Sequence, residues 1–74
     1  MNELSRDHKL VGRRIRKVRL EASMSQEDLG YAIGISATYM GSIERGERNL
    51  TVTRLLKIAR ALKTNPAEFL AGLK

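Results

Sequence analysis

The stretch SQEDLGYAIGISATYMGSIER, residues 25–45, contains the signals for two short helices joined by a sharp turn. Ser25 and Asp28 form an S-x-x-D capping box, which predicts that a helix begins directly after Ser25. Gly34 suits the left-handed backbone that ends such a helix. Ser36 can then cap the next helix. The stretch therefore predicts a helix-turn-helix.

The apolar residues of this stretch recur at the spacing that gives each short helix one buried face. Gly30 is small and falls where the two helices must approach each other closely. Gly46 follows the predicted end of the second helix near Arg45. The residues predicted to face inward are Leu29, Ala32, Ile33, Ile35, Met40 and Ile43. A pair of helices in a protein that does not bind DNA could satisfy the same pattern.

The rest of the chain predicts three further short helices and no strand. Residues 1–6 are predicted to form a polar tail, and residues 9–22, KLVGRRIRKVRLEA, have apolar positions at helical spacing. Thr51 can cap a helix, and Asn65 followed by Pro66 is a typical helix start. The apolar stripe of the helix after Thr51 is Leu55, Ile58, Ala59 and Leu62. We therefore expect an all-α fold, a compact bundle of five short helices, in a single domain that spans the whole chain.

Net charge is the feature of the composition that bears most on function. The 74 residues include 14 Lys and Arg against 8 Asp and Glu, a net charge of +6. This charge favours a polyanionic partner such as DNA, RNA or an anionic membrane, although it could serve solubility alone. The chain has no cysteine, so disulfides and thiolate metal sites are excluded. No apolar run reaches the roughly 20 residues of a membrane span, and no signal peptide is recognisable, so we expect a cytoplasmic protein without a membrane partner.

One face of the second helix in the quoted stretch is small and nearly flat. At about 100° per residue, this face lies opposite the predicted core residues Met40 and Ile43. Its residues are Ala37, Thr38, Gly41, Ser42 and Arg45. A flat face lets a helix approach another surface closely, as entry into a DNA major groove requires. A plain solvated face is the alternative, although such a face usually carries Lys and Glu.

Three segments carry a resemblance to a known family: SQEDLGYAIGIS, TYMGSIERGERNLT and LLKIARAL. Over residues 11–69 the chain resembles helix-turn-helix domains of the Cro and phage-repressor type, also called the xenobiotic-response-element type. Within that family, TYMGSIERGERNLT is most similar to the controller proteins of restriction–modification systems. The resemblance implies a lambda-repressor-like fold that binds double-stranded DNA, with its third helix in the major groove. We expect the chain to bind as a homodimer, because joining two domains makes the second contact intramolecular.

The resemblance implies that Ala37, Thr38 and Ser42 face base edges. Thr38 and Ser42 can form hydrogen bonds there, and Ala37 can meet a thymine methyl group. Better-known members of the family have Gln, Arg or Asn at these positions, so we expect fewer direct base contacts and more specificity from DNA shape. Arg48 and Asn49, in the loop that follows, are expected to supply further base contacts. A solvated loop is the alternative.

The resemblance also implies a set of contacts to the DNA backbone. Gln26 matches a position that touches a phosphate, and a helix-start residue without a partner is the alternative. Tyr39 is expected to place its hydroxyl near a phosphate, or else to pack on the flank of the core. Arg45 lies at the end of the recognition helix. Arg16 and Lys17 are the residues of the basic first helix that we expect to approach phosphates.

Two further predictions concern stability and assembly. In the family pattern Glu44 pairs with a residue that matches Arg19, so we expect a structural salt bridge rather than a carboxylate that accepts from cytosine. Phe69, Leu70 and Leu73 are more apolar than a monomer surface requires, and we expect them at the interface of a two-fold dimer. Phe69 could instead close the monomer core, or do both. A dimer predicts inverted half-sites about 34–36 Å apart.

The expected function is that of a dimeric transcription regulator of a restriction–modification operon that includes its own gene. Controller proteins, which the chain resembles, activate at low concentration and repress at high concentration. Activation would also need a surface for RNA polymerase, which the sequence does not identify. The alternative is an antitoxin-like or phage-type repressor whose domain also binds a protein. We expect no enzyme, because no catalytic cluster or phosphate-binding glycine loop is present, and we expect no cofactor or metal.

Overall fold

The computed structural model describes the backbone of residues 3–73 and the side chains of residues 6–73. Within this part of the chain every regular element is a helix, which confirms the predicted all-α fold with five helices. The helices are α1 (Glu3–Glu21), α2 (Gln26–Ile33), α3 (Ala37–Glu44), α4 (Val52–Ala61) and α5 (Ala67–Leu70). No helix in residues 3–73 is long and apolar enough to cross a membrane.

The first helix begins earlier than the sequence pattern predicts. α1 starts at Glu3, so the predicted polar tail over residues 1–6 is wrong from Glu3 onward, and residues 1–2 lie outside the described part of the chain. The segment is polar, but Glu, Leu and Arg are also good helix formers. Polarity alone therefore misidentified this segment as a tail.

The hydrogen bonds that begin and end α2 and α3 are those that the sequence predicts. Ser25 Oγ accepts from the Asp28 N–H at 2.9 Å, and an Asp28 carboxylate oxygen accepts from the Ser25 N–H at 2.9 Å. Gly34 has a left-handed backbone with φ of +80° and ends α2. Ser36 Oγ accepts from the Tyr39 N–H at 3.0 Å at the start of α3. The predicted capping box, the glycine turn and the second cap are all confirmed.

The later caps are confirmed as well. Thr51 Oγ1 accepts from the Arg54 N–H at 3.1 Å, and Asn65 Oδ1 accepts from the Ala67 N–H at 2.9 Å. Each side chain satisfies a backbone donor that has no partner within its own helix. The boundaries of α4 and α5 are therefore set by local hydrogen bonds.

The core lies between all five helices. α3 packs against both α1 and α2, α2 also packs against α4, and α5 packs against α1. The buried apolar side chains are Val11, Ile15, Leu29, Met40, Ile43, Leu55, Ile58, Ala59, Leu62 and Phe69. Burying a Leu, Ile, Met or Phe side chain contributes roughly 1.5–3 kcal/mol each. This core holds α3 in place with one face outward.

Two glycines allow backbone to meet backbone around α3. A Cβ on Gly30 would lie 2.6 Å from the carbonyl oxygen of Ile35, which confirms that α2 approaches the following segment closely at this residue. A Cβ on Gly12 of α1 would lie 2.5 Å from the carbonyl oxygen of Glu44. Neither neighbour is a flexible side-chain end that could move away. The contact at Gly30 fixes the distance of α2 from the turn, and the contact at Gly12 fixes the distance of α1 from the end of α3.

The inward face of α2 is rotated relative to the prediction. Leu29 and Gly30 are buried and Ile33 is partly buried, but Ala32, which was predicted to face inward, is exposed. At about 100° per residue, the directions of Leu29, Gly30 and Ile33 span one arc, and Ala32 lies outside it. The close approach at Gly30 is what turns this arc towards α3 and away from Ala32. The prediction for Ala32 was therefore wrong.

Candidate nucleic-acid interface

The outward face of α3 is divided between an exposed beginning and a covered end. Thr38 is exposed and Ala37 is partly exposed, whereas Gly41 and Ser42 are buried. A Cβ on Gly41 would meet Arg45 Nη1 at 3.2 Å and Gln26 Oε1 at 3.3 Å, so these two side chains overlie it. The prediction of one open flat face that includes Gly41 and Ser42 was therefore wrong. Only the N-terminal end of α3 is open to a large partner.

Ser42 is held by two neighbours. Its side-chain oxygen donates to the Tyr39 carbonyl at 2.6 Å and accepts from Arg48 Nε at 3.3 Å, and the residue is 6% exposed. A hydroxyl has one donor and two acceptor lone pairs, so its single donor is already used inside α3. Contact between Ser42 and a base remains a prediction. In this structure Ser42 holds the side chain of Arg48 against α3.

Tyr39 carries two arginine side chains on its ring. The guanidinium carbons of Arg48 and Arg54 each lie 5.0 Å from the ring centroid. Both distances are within the roughly 6 Å at which a cation is attracted to an aromatic face, by about 0.5–1 kcal/mol at exposed sites. Tyr39 is also partly buried against the core, so the predicted core-flank position is confirmed. Contact between its hydroxyl and a phosphate remains a prediction.

Arg54 is the residue of this surface that the sequence reading missed. The signal that could have found it is a cation in the first turn of α4, where no acidic residue is present. The N-terminus of a helix is electropositive. An anion there stabilises the helix by about 0.3–1 kcal/mol, and a cation destabilises it by a similar amount. A cation at this place therefore indicates that a group outside α4 offsets the repulsion. Its contact with Tyr39 could not be found from local spacing, because the two residues lie on different helices.

The end of α3 has a second, exposed charge pair. Arg45 Nη2 lies 3.1 Å from a carboxylate oxygen of Glu47, and both side chains are more than half exposed. Hydrogen bonding to Glu47 raises the pKa of Arg45, and hydrogen bonding to Arg45 lowers the pKa of Glu47. Exposed pairs of this kind contribute little to stability. The pair leaves Arg45 accessible, and its predicted phosphate contact remains a prediction, as does base contact by the exposed Asn49.

The predicted salt bridge between Arg19 and Glu44 is present and buried. Arg19 Nε donates to Glu44 Oε2 at 2.6 Å and Arg19 Nη2 donates to Glu44 Oε1 at 3.0 Å, and the side chains are only 7% and 2% exposed. Hydrogen bonding to the Glu44 carboxylate raises the pKa of Arg19. Arg19 also donates to the Met24 carbonyl at 2.8 Å. Because Glu44 is enclosed, it cannot accept from cytosine in this conformation.

Gln26 joins this buried pair to the surface. Its Nε2 donates to Glu44 Oε1 at 3.1 Å, and its side chain is partly exposed at the start of α2. The alternative in which Gln26 has no partner is therefore wrong. Its contact with a DNA phosphate remains a prediction. The structure shows that the start of α2 and the end of α3 are tied together through Gln26 and Glu44.

The α1 residues predicted to contact phosphates are exposed, whereas the residues predicted to lie at the dimer interface differ in their exposure. Arg16 and Lys17 are both exposed on α1, and their contact with phosphates remains a prediction. Phe69 has no exposed surface, because it closes the core of its own chain. The prediction that it lies at a dimer interface was therefore wrong, and the alternative that it closes the core is confirmed. Leu70 is 43% exposed, and Leu73 is partly buried against the core.

Comparison with known proteins settles the family. The sequence pattern described as helix-turn-helix matches residues 15–69, which include all of α2, α3 and α4. The chain belongs to the helix-turn-helix family. This family is one of DNA-binding regulators, so the prediction of a regulator rather than an enzyme is confirmed.

The relatives of this helix-turn-helix protein include controller proteins of restriction–modification systems. The control protein C.BamHI of Bacillus amyloliquefaciens is 40% identical over 62 residues, which cover 82% of this chain and 76% of that protein. The crystal structure of the controller protein C.AhdI from Aeromonas hydrophila superposes with a TM-score of 0.86 at 35% identity, over 92% of this chain and 99% of that one. The structure of the C.Esp1396I tetramer in complex with its natural 35 base-pair operator superposes with a TM-score of 0.76 at 37% identity. The match covers 95% of this chain and 88% of that one. The predicted resemblance to this class is confirmed.

Proposed function

We propose that this protein is a sequence-specific regulator that binds operator DNA as a dimer and controls transcription of a restriction–modification operon, including its own gene. The observation that carries the proposal is the open N-terminal end of α3, where exposed Thr38 stands beside Tyr39 and its arginines. Helix-turn-helix proteins contact base edges with the N-terminal residues of the recognition helix. The similarity to C.BamHI and C.AhdI supports the restriction–modification assignment.

The proposed base contacts are concentrated in a short segment. Ala37 and Thr38 face the bases directly, and Arg48 and Asn49 reach them from the loop after α3. Arg48 is the only one of the four that can bind guanine through two parallel hydrogen bonds. With so few direct readers, we infer that DNA shape and deformability contribute a large share of the specificity.

The proposed dimer uses the exposed surface around Leu70 and the adjoining Leu73. A two-fold dimer presents two copies of α3 to half-sites about 34–36 Å apart on one side of the duplex. Joining two domains also raises affinity, because the second contact becomes intramolecular. The C.Esp1396I tetramer on its 35 base-pair operator is a relative that supports binding of more than one copy to one operator. In the cell we place the protein in the cytoplasm at the nucleoid, where it also contacts RNA polymerase when it activates.

The experiment that tests the function is selection of binding sites from random duplex DNA by the wild-type protein. The expected result is enrichment of an inverted repeat, with an affinity that falls steeply as salt increases. Thr38→Ala should then lower affinity for the selected site and leave affinity for random duplex unchanged. No enrichment over random sequence would overturn the proposal and favour the alternative of a protein-binding module.

The dimer is tested by light scattering coupled to size exclusion. Leu70→Glu should convert the dimer to a monomer, because it places a charge in an apolar interface. Leu20→Glu is the matched control, since Leu20 on α1 is also an exposed leucine, at 52% against 43% for Leu70. A Leu70→Glu protein that elutes as the same dimer as wild type would show that the interface lies elsewhere.

A further inference from the structure

Arg54 occupies a position that is electrostatically unfavourable within the free chain. It lies in the first turn of α4, whose cap is Thr51 and whose first turn contains no acidic residue. The unpaired N–H groups at a helix start carry partial positive charge. The Arg54 guanidinium is therefore repelled by the helix that carries it.

The only interaction that the structure shows for the Arg54 guanidinium is with the ring of Tyr39. Among the described residues it forms no hydrogen bond and no ion pair, and its ζ carbon lies 5.0 Å from the ring centroid. Arg48 lies at the same distance from the same ring, so the two guanidinium carbons are separated by no more than twice that distance. This upper limit is close to the Debye length of about 8–10 Å at physiological salt, so the two charges still repel each other.

We propose that Arg54 contacts a DNA backbone phosphate directly beside the N-terminal end of α3. A phosphate at this place would remove the repulsion from Arg48 and from the start of α4 at the same time. The Tyr39 ring holds the guanidinium against α3, in which the exposed Thr38 directly precedes Tyr39. The inference rests on the proposed function and adds to it a contact that the sequence did not indicate.

Charge placed only for solubility does not explain this geometry. A solubilising arginine keeps its side chain in water, as the exposed Arg13 and Arg60 do. Arg54 is instead partly buried and stacked on an aromatic ring, which restricts its rotamers. A planar guanidinium stacked on a ring still presents N–H donors at its edge, in the geometry that phosphate oxygens accept.

The role of Arg54 differs from that of Arg48. Arg48 is in the exposed loop after α3, whereas Arg54 is fixed on a helix whose backbone is packed on the core. A phosphate contact carries no sequence information but sets the register of the protein on the duplex. Arg54 therefore positions α3 in the groove, and its loss should weaken binding to all sequences alike.

The test compares Arg54→Gln with wild type and with Arg60→Gln. Both variants remove one positive charge from α4, but Arg60 is exposed in its last turn. Dissociation constants are measured on the selected site and on random duplex between 50 and 200 mM salt. Loss of one phosphate contact lowers the slope of log K against log salt by about 0.9, so the deficit of Arg54→Gln should be about 3.5-fold larger at 50 mM than at 200 mM. Arg60→Gln should keep the wild-type slope.

A second measurement locates the phosphate. Single phosphates of the selected duplex, or of a fixed duplex of random sequence if selection fails, are replaced by neutral methylphosphonates. At the phosphate that Arg54 contacts, the replacement should weaken DNA binding by wild type severalfold and leave DNA binding by Arg54→Gln unchanged. Non-additive losses at one position are the signature of a direct contact. Losses that add at every position would overturn the proposal, as would a wild-type salt slope in Arg54→Gln.

Two controls, the thermal unfolding of Arg54→Gln and the salt slope of Arg54→Lys, separate this result from a folding defect, and the binding of wild type to random duplex separates it from the proposed function. Thermal unfolding should show Arg54→Gln as stable as wild type, and Arg54→Lys, which keeps the charge, should keep the salt slope. If wild type binds duplex DNA without sequence preference, the proposed function fails and Arg54 is still judged by the slope on random duplex. If wild type binds no duplex at all, both proposals fail.

Discussion

Two groups of charged residues on either side of α3 differ in how their charges are balanced. The buried cluster consists of Arg19, Gln26 and Glu44, in which one cation meets one anion and the remaining donors reach a carbonyl or the same carboxylate. The stacked cluster consists of Tyr39, Arg48 and Arg54, in which two cations share one ring. Among the described side chains no carboxylate forms an ion pair with either cation, although Glu47, which pairs with Arg45, also interacts with the charge of Arg48. The charges of the buried cluster are paired within the chain. Within the described part, the stacked cluster keeps two positive charges without an ion-paired carboxylate.

The difference separates charges that hold the fold from charges that face a partner. A buried charge without a partner is very costly, so Arg19 is tolerated in the core only together with Glu44. Near the surface, water screens charges, so Arg54 can persist without an anion in the free protein, and Arg48 with only the interaction of its charge with Glu47. The positive charge of Arg48 and Arg54 at the open end of α3 is therefore available to bind a polyanion.

The largest expected effect is on the buried cluster. Arg19→Met should lower the free energy of unfolding by roughly 3–5 kcal/mol, because it leaves the Glu44 carboxylate buried without its cation. The double variant Arg19→Met with Glu44→Leu should recover most of that loss, since neither charge remains. Arg13→Met, an exposed arginine on the same helix, should stay within about 0.5 kcal/mol of wild type. Denaturant titrations measure all three, and a double variant that is no more stable than Arg19→Met would contradict the comparison.

Gln26 tests the border of the buried cluster. Gln26→Ala should lower the free energy of unfolding by about 1.5 kcal/mol, because one partly buried hydrogen bond to the Glu44 carboxylate is lost while both Arg19 bonds to Glu44 remain. It should also weaken binding to selected and random duplex by the same factor, as expected for a phosphate contact. Unequal loss on the two duplexes would show that Gln26 reads sequence rather than backbone.

Ser42 links α3 to the stacked cluster. Ser42→Ala removes the hydroxyl that receives Arg48 Nε and should lower the free energy of unfolding by about 1 kcal/mol. Because Arg48 is then less restrained, the variant should lose more affinity for the selected site than for random duplex. Thr38→Ala provides the comparison, since it should change specificity without this loss of stability. A Ser42→Ala protein as stable as wild type, with Arg48 equally ordered, would show that the bond is incidental.

The smallest effect concerns an exposed charge that has a partner within the chain. The Ser25 N–H, which donates to the Asp28 carboxylate, lowers the pKa of Asp28 below its ordinary value of 3.8. A lowered folded-state pKa stabilises the fold above the ordinary value, and this contribution is lost as pH falls through the folded value. Asp28→Ala should therefore be less stable than wild type at neutral pH, with a difference that vanishes in acid. Glu27→Ala, in the same turn, is the matched control, and a difference that persists at low pH would exclude this cause.

The sequence by itself determined where α2, α3, α4 and α5 begin and where α2 ends. The caps at Ser25, Ser36, Thr51 and Asn65 and the turn at Gly34 were predicted correctly because each depends on hydrogen bonds between residues at most four positions apart, or on one backbone conformation. The family, the DNA-binding class and the Arg19–Glu44 pair also followed from the sequence, the last through the family pattern. The tail over residues 1–6 was misread because polarity does not distinguish a tail from an exposed helix turn.

Only the tertiary structure decided which of the predicted residues are accessible. The burial of Ser42 and Gly41 depends on side chains from α2 and from the segment after α3, and that of Phe69 depends on α1 and the rest of the core. The contact between Arg54 and Tyr39 joins two helices whose spacing in sequence says nothing about their distance in space. Local hydrogen bonds fix a helix, but the coverage of its faces is a property of the whole packed chain.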